Sequence, residues 1–179
     1  MSALRRLIRR FAGLILLAVL LAISAYLRRS EQITNADGAR VHVMDGDSLR
    51  IGGRIVRIEG IDAVELGQRC ASPDGIDWTC GEDARAALMT IVAHGGLACT
   101  SHGGDRYGRA IAQCRTRAVP DVGAALVAQG WAVSGDGRGN GRYREEERRA
   151  KTASLGIWRG TFQRPAEWRA AHPRDAISG

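Results

Sequence analysis

The chain has 179 residues, of which 45 % are hydrophobic, with 26 Lys and Arg against 19 Asp and Glu. That length suits one domain of ordinary size. The formal net charge of +7 is weak evidence for nucleic-acid binding, because six of the basic residues precede residue 31 and residues 32–179 carry only 20 basic and 18 acidic residues.

The first part of the chain is an uncharged run between clusters of arginine. Residues 11–27 carry no charge, and Arg10 and Arg28 border them. As a helix this run would span about 26 Å, slightly short for a bilayer but tolerable with local thinning. Basic flanks on a run without a polar face favour a membrane segment over a buried core helix. Four arginines before the run and two after it predict a cytoplasmic N-terminus and an external domain.

Two membrane interpretations remain open, an uncleaved signal anchor and a cleaved signal peptide. Residues 22–24 (Ala-Ile-Ser) are a possible cleavage site, whereas the long apolar run and the arginines that follow it favour an anchor. We therefore expect residues 1–29 to hold a single-pass protein in the cytoplasmic membrane with its domain facing the periplasm or exterior. Cleavage would instead give a secreted domain.

The remaining elements predict an α+β domain. We expect a linker at 30–38, the domain at 39–170 and a tail at 171–179. Alternation of apolar and polar residues, helical spacing and glycine positions predict the elements. The strands are 39–44, 48–51, 54–61, 97–100 and 110–115, the helices are 82–94, 122–129 and 143–155, residues 131–133 form a short apolar segment, and 66–81 is a loop. This order suits a five-stranded, partly open OB-type β-barrel with about three packed helices.

The four cysteines predict disulfides rather than a metal site. Their spacings contain no C-x-x-C, which argues against zinc, and buried free thiols are the alternative. An even number of cysteines behind an export signal favours two disulfides. Cys99 and Cys114 flank a predicted hairpin, and Cys70 and Cys80 flank the predicted loop. We therefore predict the pairs Cys70–Cys80 and Cys99–Cys114.

A set of carboxylates lies at the ends of the first predicted strands. Asp47 and Asp62 could reach one hard cation if their strands pair, since calcium accepts carboxylate oxygens in irregular geometry. By strand alternation Asp45 points the same way as Asp47, and we expect it to support the metal ligands without binding the ion itself. Glu65, three residues after Asp62, could hold a water as general base. Each residue alone would more often be a turn or surface residue, but the joint pattern predicts a site.

Two arginines complete this pattern. Arg57 and Arg109 offer planar guanidinium groups that match phosphate oxygens and can neutralise charge on a five-coordinate phosphorus. Arg57 lies between Val56 and Ile58, so strand alternation alone would also allow an outward, structural role. Together these groups favour metal-assisted cleavage of a phosphodiester.

Three motifs in order resemble the thermonuclease (staphylococcal-nuclease-like) family, in its bacterial exported branch. They are residues 43–48 (VMDGDS), 56–65 (VRIEGIDAVE) and 105–109 (DRYGR). The later segments of the family are similar to residues 126–132, 156–158 and 160–169. The placement of the cysteines is similar to that of the exported branch, and the whole resemblance covers about residues 41–169.

The resemblance implies an OB-fold, calcium-dependent nuclease that acts on DNA and RNA, and we expect it to be a monomer. The metal ligands would be Asp47, Asp62 and the carbonyl of Ala63. The catalytic residues would be Arg57, Glu65 and Arg109. Arg106, Tyr107 and Tyr143 would contact the nucleotide.

Two departures from the family pattern support an alternative function. The family usually has proline where Val64 stands, and proline stiffens a loop. It often has tyrosines in the segment that here, at 134–141, holds four glycines, and base stacking on an aromatic ring is worth roughly 1–3 kcal/mol. The alternative is a catalytically weak accessory or binding module of the cell envelope, linked to polysaccharide synthesis. A purely structural role of the fold is a third hypothesis.

Overall fold

The computed structural model describes residues 13–24, 30–135 and 141–173, in two compact units, residues 1–31 and 32–179. In the first unit, residues 13–24 are helical (α1) and expose their large apolar side chains. Within the described residues, none of the helices has the length and apolar character needed to span a bilayer. The predicted anchor at 1–29 extends beyond the described residues at both ends, as the predicted tail at 171–179 does at its end, so both stay predictions.

From Glu31 onward, the described residues form short strands and four α-helices. The strands are β1 Glu31–Thr34, β2 Val41–Val43, β3 Ser48–Ile51, β4 Arg54–Ile58, β5 Ile61–Ala63, β6 Cys70–Ala71, β7 Asp77–Trp78, β8 Ala98–Gly104, β9 Ala110–Arg115 and β10 Ala132–Ser134. The helices are α2 Cys80–Ala93, α3 Val122–Ala128, α4 Arg144–Thr152 and α5 Pro165–Ala171, with a 3-10 helix at Gly156–Arg159.

The main sheet has six strands in the order β1-β8-β9-β4-β3-β2. β4 and β9 run parallel, while the pairs β2–β3, β3–β4 and β8–β9 are antiparallel. β5 pairs with β10, and β6 with β7, in two further two-stranded sheets. This curled, open half-barrel with packed helices is the OB-like fold that the sequence predicted. The number of strands differs from the predicted five.

Three element predictions were wrong in detail. Residues 31–34 are not a linker but strand β1, because Ile33 is buried against the core. The strand predicted at 54–61 is two strands, since the chain turns after Ile58 and its second part pairs with β10. The loop predicted at 66–81 contains the β6–β7 pair and the first two residues of α2. Neither the 3-10 helix nor α5 was predicted.

The hydrophobic core lies in two clusters. The larger one packs β2, β3, β4, β8 and β9 against α2 and α3. The smaller one contains Val64, the cysteines Cys70 and Cys80, Ala84, Val133 and Ile157, with Trp78, Trp131, Trp158 and Phe162 packed against it. It lies beneath the segment that carries Glu65, and burial of these side chains stabilises that segment by removing apolar area from water.

Both predicted disulfides are confirmed. Cys70–Cys80 joins β6 to the first residue of α2, and Cys99–Cys114 joins directly opposed residues of β8 and β9. Neither prediction required knowledge of long-range packing, because each disulfide closes a local loop or hairpin.

Candidate functional site

Asp47 is placed by a tight turn between β2 and β3. A Cβ on Gly46 would lie 2.7 Å from the Cβ of Ala63 and 3.0 Å from that of Ala84, so only glycine lets the turn approach β5 this closely. The Asp47 backbone N–H donates to Asp45 Oδ1 at 2.9 Å, an Asx turn within the motif. The Ala63 N–H donates to Asp47 Oδ2 at 3.1 Å. Asp47 is therefore fixed against β5 and only 2 % exposed.

Arg57 joins two of the predicted carboxylates. Its Nη1 lies 2.8 Å from Asp47 Oδ1, and its Nη2 lies 2.8 Å from Asp62 Oδ1. In the pairing of β3 with β4, Arg57 is opposite Ser48, next to Asp47. Alternation does place Arg57 on the face of β4 opposite Val56 and Ile58, and that face carries the site.

A further arginine, Arg169 of α5, contacts the other side of the cluster. Its Nη1 lies 2.9 Å from Asp62 Oδ1 and 2.6 Å from Glu65 Oε1, and its Nη2 lies 3.1 Å from Asp62 Oδ2. The contact with Asp62 is a two-pronged guanidinium–carboxylate pair, the strongest geometry available to these groups. Arg57, Asp62, Arg169 and Glu65 thus form a continuous chain of ion pairs.

Glu65 is held through its backbone by α2 and by Gln68. A Cβ on Gly81 would lie 1.8 Å from the Glu65 carbonyl oxygen, so the start of α2 packs directly on this residue. The buried Gln68 accepts from the Glu65 N–H at 3.2 Å and donates to the Gln163 carbonyl at 2.6 Å. Gln68 therefore links Glu65 to the segment that leads into α5.

Burial and neighbouring charges shift the pKa values of this cluster, and the raised pKa values of two carboxyl groups suit acid–base chemistry. Burial raises the pKa of Glu65, although the hydrogen bond from Arg169 opposes the rise. Burial and the charge of Asp47 raise the pKa of Asp45 to about 7. Burial alone would lower the pKa of Arg57 and of Arg169, but their carboxylate partners outweigh it and raise both. Perturbed carboxyl groups next to guanidinium groups are typical of functional sites.

In the described contacts, Arg109 is not joined to this chain of ion pairs. Among the described residues its contacts are with Asp105, whose Oδ2 lies 2.7 Å from its Nε, and with the ring of Tyr107, 5.5 Å away. Arg109 precedes β9, which pairs with β4 in a register that sets Arg57 opposite Ile111. Its catalytic role stays a prediction.

Arg106 and Tyr107 lie at the tip of the turn between β8 and β9. Tyr107 is 67 % exposed, and the Arg106 guanidinium lies 4.8 Å from its ring centre. Arg106 Nη2 also donates to the Tyr107 hydroxyl at 2.7 Å. An exposed ring beside two guanidinium groups is available to a nucleotide base, and the predicted contact remains a prediction.

The predicted role of Tyr143 in substrate binding is wrong for this conformation. Tyr143 is 5 % exposed and belongs to the main hydrophobic core. Its hydroxyl donates to both carboxylate oxygens of Asp121, at 3.1 and 3.0 Å. A ring with no free face cannot stack on a base, and its role is to anchor the start of α4 to α3.

The two departures from the family pattern have different outcomes. Val64 is 1 % exposed within the smaller hydrophobic cluster, so packing fixes the residue before Glu65 where the family usually has proline. The glycine-rich segment 134–141 lies partly outside the described residues, since 136–140 are not among them.

The predicted calcium site does not fit the arrangement of these side chains. Asp47 Oδ1 already accepts from Ser48 and Arg57, and Asp62 Oδ1 from Arg57 and Arg169. In the described part of the chain, no three His, Cys, Asp or Glu side chains are placed to share a metal ion. The donor types suit a hard cation, but guanidinium groups hold the oxygens. The carbonyl of Ala63 as a ligand stays a prediction.

Sequence reasoning missed Arg169 and Gln68. One signal for Arg169 was present, because four carboxylates with one nearby arginine need another cation when buried. The sequence offered no means of choosing among the arginines of the C-terminal third. Gln68 is an uncharged residue of the predicted loop and gave no signal.

Comparison with known proteins gives two similarities. The family model of staphylococcal nuclease homologues matches residues 55–160. The chain is also 36 % identical over 118 residues to the succinoglycan biosynthesis protein ExoI of Rhizobium meliloti (strain 1021). That match covers 65 % of this chain and 62 % of ExoI, so the chain spans less than two thirds of that relative.

Proposed function

Because this chain belongs to the staphylococcal nuclease family, we propose that it is a nuclease that hydrolyses phosphodiester bonds of DNA or RNA outside the cytoplasmic membrane. The observation that carries the proposal is the chain of ion pairs that joins Asp47, Arg57, Asp62 and Glu65. These four residues come from separate parts of the chain. Arg57 nevertheless contacts both Asp47 and Asp62, and Arg169 joins Asp62 to Glu65.

In this proposal Glu65 is the general base. Its pKa is raised by burial, and its backbone is held by Gln68, so the carboxylate is both basic and fixed. It would take the proton from a water that attacks phosphorus. A positioned base of this kind contributes about 10²–10⁴-fold to a rate.

Arg57 would neutralise the phosphate as charge builds on it. A guanidinium has five N–H donors, and the contacts with Asp47 and Asp62 use two of them. Arg109 and Tyr107, at the β8–β9 turn, are proposed to hold the adjacent part of the nucleotide. Calcium is proposed as the activator on the family resemblance, and the assay below tests it separately.

A second candidate is a catalytically weak accessory module of envelope exopolysaccharide synthesis. The similarity to ExoI, a succinoglycan biosynthesis protein, favours it, as does the burial of Tyr143. The same protein surface would then bind an anionic ligand without cutting it.

The experiment is a nuclease assay with the full-length chain on single-stranded DNA and on RNA, with calcium and then with a chelator. We expect cutting that the chelator stops, and a loss of about 10²-fold or more in Glu65→Gln. Glu145→Gln, on the exposed face of α4, is the matched control and should cut like the unmodified chain. Cutting that is absent, or equal in Glu65→Gln, would favour the accessory function.

A further inference from the structure

The outer face of the main sheet carries a row of side chains that the proposed mechanism does not use. The other three residues of β3 are buried, whereas Arg50 is exposed, as His42 is in β2. Arg50 is the cross-strand partner of His42 on one side and of Ile55 in β4 on the other. Because cross-strand partners point to the same face of a sheet, His42, Arg50 and Ile55 form one row on that face.

This row lies directly beside Arg57 of the candidate site. Ile55 and Arg57 are two residues apart in β4, so strand alternation points their side chains to the same face. Ile55 is partly buried, and it is outside both hydrophobic clusters of the described residues, as expected of an outer-face residue. The parallel register of β4 and β9, extended by one residue, also sets Arg109 next to Ile55. The row therefore continues from the two predicted catalytic arginines to the edge of the sheet at β2.

Arg50 differs from those two arginines in having no carboxylate partner. Within the described residues, no Asp or Glu lies within ion-pair distance of Arg50, whereas Arg57 and Arg109 each pair with an aspartate. Its planar guanidinium, with five N–H donors, is therefore available to an anion in solvent. Neighbouring strands lie about 4.8 Å apart and two residues along a strand span about 6.8 Å, so the Cα atoms of Arg50 and Arg57 are roughly 8 Å apart. Two long cationic side chains at that spacing can each bind a different phosphate of one strand.

We propose that the row of His42, Arg50 and Ile55 binds the part of a nucleic-acid strand that extends from the candidate site towards β2. Arg50 binds the phosphate next to the one held by Arg57, and Ile55 contacts the sugar between the two phosphates. His42 donates a hydrogen bond to the strand beyond Arg50. The preferred substrate is therefore a polynucleotide strand and not a dinucleotide. This inference rests on the proposed function, because it concerns the same substrate, but the binding of the strand needs no cutting.

The first test compares cutting of a long oligothymidylate and of the thymidine dinucleotide by the full-length chain. We expect Arg50→Gln to lower kcat/KM on the long strand about 5–10-fold, through KM, because one charge-assisted hydrogen bond is lost. Its kcat/KM on the dinucleotide, which is too short to reach Arg50, should stay unchanged. Arg117→Gln is the matched control, because Arg117 is also exposed but follows β9 near the end of α2. An equal loss on both substrates, or no loss on the long strand, would overturn the proposal.

The second test measures binding of the same labelled oligothymidylate by fluorescence anisotropy, in chelator and at several salt concentrations. Each phosphate contact with a single strand contributes about 0.7 to the slope of log K against log salt. We therefore expect the slope to become shallower by about that amount in Arg50→Gln, and to be unchanged in Arg50→Lys and Arg117→Gln. An unchanged slope in Arg50→Gln would overturn the proposal. A shallower slope in Arg50→Gln, with no cutting of DNA or RNA by the unmodified chain, would support the binding surface and reject the proposed function alone.

Discussion

Asp45 and Asp47 lie two residues apart in the same turn, but their carboxylates have different contacts. Asp47 is paired with Arg57 and accepts from Ala63. In the described contacts of Asp45, its carboxylate accepts the Asp47 N–H and has no guanidinium partner within ion-pair distance. Burial and the neighbouring charge of Asp47 therefore raise the pKa of Asp45 to about 7. A buried carboxyl group without a cationic partner is more stable in its neutral, protonated form than as a charged carboxylate.

This difference predicts a pH dependence of stability. The pKa of Asp45 is higher in the folded than in the unfolded chain, so the folded state binds the extra proton between about pH 4 and pH 7. Over that window Asp45 makes the free energy of unfolding fall as pH rises, by an amount on the order of 4 kcal/mol at most. Asp45→Asn keeps the acceptor for Asp47 but cannot ionise, so its stability relative to the unmodified chain should increase with pH.

Denaturant unfolding at several pH values in calcium-free buffer measures this. Asp77→Asn, which removes an exposed carboxylate of β7, controls for the loss of one charge. A stability difference between Asp45→Asn and the unmodified chain that is constant from pH 4 to pH 7 would reject the assignment.

The elements around Glu65 are held by one of the two disulfides. Cys70–Cys80 ties β6 to the start of α2, where Gly81 packs on the Glu65 carbonyl and donates its N–H to the Gln68 carbonyl at 3.2 Å. Cys99–Cys114 joins β8 and β9 on the main sheet instead. The two bridges close loops of similar length, with sequence separations of 10 and 15. Their effects on stability should therefore be similar and their effects on activity different.

We expect each double replacement by alanine to lower the free energy of unfolding by about 2–4 kcal/mol. Only Cys70→Ala with Cys80→Ala should also reduce the nuclease rate at a temperature where both variants are folded, because a misplacement of about 1 Å can cost on the order of 10²-fold. Thermal unfolding and the nuclease assay measure the two effects. Equal rates in the two double variants would show that this disulfide does not position Glu65.

At the scale of elements, the sequence predicted what is local. Strand alternation, helical spacing and glycines located β2 to β4, β8, β9 and α2 to α4, because each pattern reflects contacts within a few residues. The sequence patterns did not predict the elements whose formation depends on contacts with distant parts of the chain. Residues 31–34 look polar, and only the edge of β8 makes them a strand. The helix α5 is too short for its sequence to show a clear helical pattern. Its position depends on the packing of the buried Trp168 beside Gly67.

For the molecule as a whole, we expect the N-terminal segment to decide where the proposed nuclease acts. The described part, residues 13–24, is helical with exposed leucine and isoleucine side chains. We propose that residues 1–29 anchor the chain with its domain outside the cytoplasmic membrane. The full chain has a mass of 19.3 kDa.

Cell fractionation with blotting tests this proposal. We expect the full-mass protein in the membrane fraction and its domain accessible to protease added outside the cytoplasmic membrane. A mature form that is smaller by about 2–3 kDa, at roughly 0.11 kDa per residue, would show that the segment is a cleaved signal peptide. Full-mass protein in the cytoplasm would reject both alternatives.

Motifs and local spacing were enough to predict the OB-like fold, both disulfides, and the carboxylates and Arg57 of the cluster. The tertiary structure alone decided which cation meets Asp62 and Glu65. Arg169 is 107 and 104 residues away from them in the chain. A pairing over that distance depends on where α5 packs against the folded domain, and no local pattern encodes it. The burial of Tyr143 was decided in the same way, because its partner Asp121 lies 22 residues earlier in the chain, directly before α3.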